Sequence, residues 1–131
     1  MSFWGVKRGI KRRQSDIHFS KLVRKERGYI CEFCGKPHEE NSMNIGLSHF
    51  WPRSHGGVRY DRRNVDVLCN IPCHNMFEGH RKTYIEWKKK RMGEKAYDRL
   101  EFDAHATKSS IYGPIVERAL SKQFLEELRK L

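Results

Sequence analysis

Long apolar runs are missing from this 131-residue chain. None approaches the roughly 20 residues that a membrane-spanning helix needs. The opening stretch MSFWGVKRGIKRR carries charges with no apolar segment after them, so it does not read as a secretory signal. The expectation is an intracellular soluble protein with no membrane partner.

Acidic residues are also scarce. There are 16 Asp and Glu against 27 Lys and Arg, a formal net charge of +11, and none of the acids precedes Asp16. That balance argues against a cationic partner and favours a polyanion, with nucleic acid ahead of an anionic membrane surface. Apolar residues make up only 37% of the chain and charged residues 33%, so the core is thin. A core of that kind usually needs a staple, whether a metal or a partner. Four cysteines could form two disulfides, but paired spacings in a reducing compartment more often bind metal.

The chain shows no internal repeat and reads as one domain's worth of residues in three segments: a basic arm and helix over 1–27, a metal-bound core over 28–80, and a helical region over 81–131. Lys7, Arg8, Lys11, Arg12 and Arg13 form an acid-free arm suited to a phosphate backbone, although a merely solubilising tail accounts for it nearly as well. Ser15 or Asp16 can cap a helix over about 16–27, with Ile17, Leu22 and Val23 on one face and Lys21, Arg24, Lys25 and Arg27 on the other, stopped by Gly28. YICEFCGKP reads as a strand entering a metal knuckle, NIGLSHFWP as a strand ending at Pro52, and NVDVLC as its hairpin partner across a basic loop. Helical spacing follows over about 82–91 and 94–104, and Gly113-Pro114 opens a last helix. The last helix carries a stripe of Ile115, Leu120, Phe124, Leu125, Leu128 and Leu131. That stripe either packs onto the domain, the preferred reading, or joins two copies as a homodimer.

Cys31-x-x-Cys34 and Cys69-x-x-x-Cys73 provide the four corners of a tetrahedral zinc site. Cys73 is preferred over the adjacent His74 as the fourth ligand. His49, Asn64 and His74 remain, in that order. With CEFCGK, SHFWPRSHGG, RRNVDVLC and CHN, the chain resembles the HNH endonucleases. Residues 28–104 are similar more specifically to the NinG (Rap) recombination nucleases of lambdoid phages, through SHFWPR, VRYDRRNVDVLC and CHNMFEGHRKTYIEWKKKRMGEKAYDRLE. The resemblance implies an α+β fold, a small zinc-stapled ββα-metal core with flanking N-terminal and C-terminal helices. It also implies cutting of DNA, in some members at branched intermediates, with a divalent metal, in the cytoplasm of a bacterial or phage-infected cell.

The residue types suit that chemistry. Phosphodiester hydrolysis needs a base for water and a cation for the leaving oxygen. His49 is the expected base. Asn64, which cannot titrate, is expected to hydrogen-bond the loop and hold His49 in place. His74 is the expected ligand of a magnesium or manganese ion. Ser48 stands where many HNH enzymes carry an acidic metal ligand. Arg53, Arg59, Arg62 and Arg63, with Lys11, Arg12, Arg13 and the run Lys88-Lys89-Lys90-Arg91, are expected to meet phosphates, although a solvated loop accounts for Arg62 and Arg63 about as well. His55 is the spare candidate for the base and His80 a weaker approach to the metal; His18, His38 and His105 are expected at the surface. Two alternatives stay open: a non-catalytic, zinc-stabilised nucleic-acid-binding module, and an HNH nuclease of restriction or homing type.

Overall fold

The computed structural model describes residues 12–106 and 113–131. The first helix, α1, spans Gln14–Glu26, two residues earlier than the spacing suggests. Neither Ser15 nor Asp16 caps it from outside. Asp16 lies within the first turn, and its Oδ2 accepts the backbone N–H of Arg13 at 2.7 Å, a carboxylate where the helix dipole favours one. Gly28, at φ +74°, ends the helix in a conformation that costs glycine little.

Two antiparallel strands follow, β1 (Ile45–His49) and β2 (Val65–Cys69), paired so that Ser48 lies opposite Asp66 and His49 opposite Val65. The first was expected to continue to Pro52 but stops at His49. Its successor is bonded differently: the Asn64 side chain accepts the Trp51 N–H and donates to the Trp51 carbonyl, both at 2.8 Å, replacing a strand neighbour. Every residue of β2 is buried. On its free edge, Glu32 donates its N–H to the Val67 carbonyl at 2.7 Å, so the knuckle after Cys31 lies beside the strand.

A wound segment, Asn70–His74, leads into the short α2 (Asn75–Gly79). Helices α3 (Arg81–Met92), α4 (Glu94–Ala106) and α5 (Pro114–Arg129) complete the described chain. The expected spans of the last three are recovered to within a residue or two. This is an α+β arrangement with four clustered cysteines that could hold a metal.

One buried cluster crosses all three expected segments, from Phe19, Leu22 and Val23 through Val67 and Phe77 to Phe124. Part of the α5 stripe packs onto α1: the Phe19 and Phe124 rings lie 5.2 Å apart, with Leu120 and Leu128 at the cluster's margin, whereas Ile115 and Leu131 are exposed. His18, expected at the surface, is buried in this seam, its Nδ1 2.6 Å from the Ser121 hydroxyl.

Lys88 also departs from expectation. It was read as part of a phosphate-binding run, but only 2% of it is exposed, and its ammonium donates to Asp66 Oδ1 at 2.8 Å. The Tyr84 hydroxyl donates to the other Asp66 oxygen at 2.7 Å and accepts from Ser48 at 3.0 Å. This chain of polar groups fastens α3 to the hairpin. Lys88→Ala strands a carboxylate in the core and is expected to cost about 3–5 kcal/mol, read from the urea midpoint. Lys88→Met with Asp66→Asn should recover much of that loss, since no buried charge is then left alone.

Candidate functional site

Strand alternation sends Ser48 and His49 to opposite sides of β1. Ser48 enters the Tyr84–Asp66 network, whereas His49 lines a groove of about 880 Å³. Position 48 therefore contributes no ligand to the groove. His74, from the start of α2, lines the same groove.

The His49 ring is fixed at one nitrogen. Its Nε2 lies 2.9 Å from the backbone carbonyl of Arg59, and since a carbonyl only accepts, Nε2 carries the proton and Nδ1 keeps its lone pair. Burial holds the His49 pKa below its ordinary value, with the nearby Arg53 and Arg59 cations acting in the same direction. The Arg59 carbonyl and Asp16 oppose them without prevailing. A neutral imidazole with one free nitrogen can accept a proton.

Asn64 is fully buried and sits under the loop after His49. Besides its two bonds to Trp51, its amide donates to the Val58 carbonyl at 3.1 Å. It thus ties both limbs of the loop together at the points where they flank His49 and Arg59.

The groove has a basic wall. Lys21, Arg24 and Lys25 on the polar face of α1 join Arg12 and Arg53 there, five cations against the carboxylates of Asp16 and Glu40. Asp16 is already engaged by Arg59, and Glu40 lies 3.8 Å from Lys25. The groove floor is partly Gly46, where a Cβ would come within 2.8 Å of Asn70 Oδ1. The glycine in mid-strand was the signal for that close approach. Asn70 and Met43, which also line the groove, were not foreseen.

The expected arginines separate into different places. Arg53 reaches the groove, its guanidinium 3.7 Å from Asp16. Arg59 does not act as an exposed clamp: it is 2% exposed and forks onto the Asp16 carboxylate. Arg62 pairs with Glu26 and Glu127, and Arg63 with Asp61 and Asp103, around a second depression that excludes His49. Arg13 is bonded to Glu117 on α5. Lys11 lies outside the described residues. His55 packs against the Trp51 and His105 rings, 5.4 and 5.3 Å away between centroids, and neither it nor His80 lines the groove.

Cys31, Cys34, Cys69 and Cys73 converge elsewhere, their sulfurs all within 4.8 Å of one another. Cys34 and Cys69 are 3.8 Å apart at sulfur, close to the edge of about 3.8 Å that a tetrahedron with metal–sulfur bonds of about 2.3 Å requires. Burial disfavours the Cys31 thiolate, but the backbone N–H groups of Cys34, Cys69 and Phe33 outweigh it and bring the pKa down to about 7. Burial and the three neighbouring thiols push Cys73 upward. So crowded a set of thiols suits a dication, which would relieve the repulsion among its thiolates. These four cysteines could hold a metal ion such as zinc, and His74 stands outside the set.

Comparison with protein-family models, with curated proteins and with solved structures finds no match.

Proposed function

We propose that this chain is a metal-dependent HNH-type DNA endonuclease with a structural zinc, cutting phosphodiester bonds at branched recombination or repair intermediates. The observation that carries the reading is the orientation of His49. Its Nε2–H is committed to a carbonyl, which leaves Nδ1 its lone pair, and the residue lines a basic groove that His74 also lines. The sequence resemblance to the NinG-like nucleases supports the same assignment.

In this reading a phosphate backbone lies along the groove against Lys21, Arg24, Lys25 and Arg53. His49 takes a proton from water at Nδ1, and Asn64 keeps the loop around it from shifting. A magnesium or manganese ion beside the scissile phosphate would stabilise charge on the leaving oxygen. His74 is its candidate ligand, and the Glu78 carboxylate 3.3 Å from His74 Nε2 adds a donor of a type such ions accept. Water and phosphate oxygens would fill the remaining positions.

Contacts of this sort read phosphates and carry no base sequence. Binding is expected to tolerate sequence changes and to weaken with salt, by a log–log slope of about −0.9 per duplex phosphate neutralised. Cleavage should require magnesium or manganese and favour a three- or four-way junction over its linear control at matched salt. Equal rates on the two would remove the branch preference. Binding without cleavage under every metal condition would favour the non-catalytic module.

A further inference from the structure

Asp16 is the first carboxylate in the chain, and it is 5% exposed. Arg59, 43 positions away, donates Nε–H to Oδ1 at 2.9 Å and Nη2–H to Oδ2 at 2.6 Å. Burial opposes the charged carboxylate, but the Arg59 bonds and the Arg13 N–H prevail and hold its pKa below the usual value. The pair is therefore ionised and two-pronged, the geometry that best fixes an arginine's orientation.

That orientation has a consequence at the other end of the residue. The Arg59 carbonyl receives the His49 Nε2–H. The side chain of Arg59 is thus anchored to α1 while its main chain anchors the imidazole. Asn64 constrains the preceding carbonyl, that of Val58, and the Arg59 N–H bonds the Gly56 carbonyl at 3.3 Å; neither bond is made to the Arg59 carbonyl itself.

We propose that Asp16 is a positioning residue: acting through Arg59, it fixes the carbonyl that holds His49 in its Nε2–H form with Nδ1 free. The first helix then belongs to the machinery of the groove as well as to its wall. The functional importance of this brace rests on the reading of His49 as the base.

Nitrogen-15 spectra of histidine-labelled, zinc-loaded full-length protein test it directly, with the His49→Gln spectrum identifying the His49 signals. The native protein should show one tautomer, protonated at Nε2. In Asp16→Asn the carboxylate is replaced by an amide that cannot accept both guanidinium bonds, and the single tautomer should give way to a mixture. Should that variant fail to fold, Arg59→Lys, which keeps the charge but loses the fork, provides the same readout. For DNA cleavage, kcat should fall by about 10–100-fold, the scale seen when an orienting partner is removed, while KM changes little. A folded variant that keeps the native His49 tautomer overturns the brace. If His49→Ala cuts DNA at the native rate, the assignment of His49 as the base falls, and the nitrogen spectra still decide the role of Asp16.

Discussion

Chelating zinc away from the four-cysteine site is expected to unfold the protein. Structural zinc contributes about 10 kcal/mol or more, and a small domain is stable by only about 5–15 kcal/mol in total. The position of the four ligands makes the loss global. Cys31 and Cys34 belong to the knuckle along the outer edge of β2, Cys69 ends that strand, and Cys73 precedes α2. Removing the ion would free three segments at once and leave three buried sulfurs and the exposed Cys34 without the bonds that held them together. One zinc per chain is expected by elemental analysis, with loss of the folded circular-dichroism signal on chelation. Cys73→Ser should prevent folding, because its sulfur is buried among the other ligands. Reduced protein that is well folded and contains no metal would remove zinc from this account.

His49→Ala is expected to lower DNA cleavage by at least about a hundredfold, the lower end for loss of a positioned general base. Affinity for DNA should hardly change, because the cations of the groove wall remain. The pH dependence provides a second check. A base works when neutral, and burial places His49 below the ordinary 6.5. Native activity should therefore persist below pH 6.5 and decline only as the pH falls through the lowered value. Full activity in the variant would sink the assignment. His74 would be tested next, since His55 packs against Trp51 and His105 outside the groove.

What the sequence makes legible is local. The Cys31–Cys34 and Cys69–Cys73 spacings announce a converging set because short loops decide where those sulfurs go. Apolar periodicity places α1, α3, α4 and α5 to within a few residues for the same reason. The pairing of distant charges is another matter. Arg59 and Lys88 look like surface cations by residue type; each is buried because a carboxylate 43 or 22 positions away faces it. Neither partner can be chosen from spacing alone. Arg62 and Arg63 likewise meet acids from α1, α4 and α5 that only the packed structure brings near. For Asp16 there was a faint signal, its place as the first acid after a basic arm, but nothing that pointed to Arg59.

The seam between α1 and α5 gives this protein a temporal problem. Phe19 emerges from a ribosome well before the ring that covers it, Phe124. At about 5–20 residues per second, the interval is on the order of 5–20 s. Until then one side of Phe19, Tyr60 and the buried His18 lacks its lid, and the nascent chain exposes an apolar strip on a helix whose other face is basic. Polyanions in the cell would meet that basic helix before the core has closed.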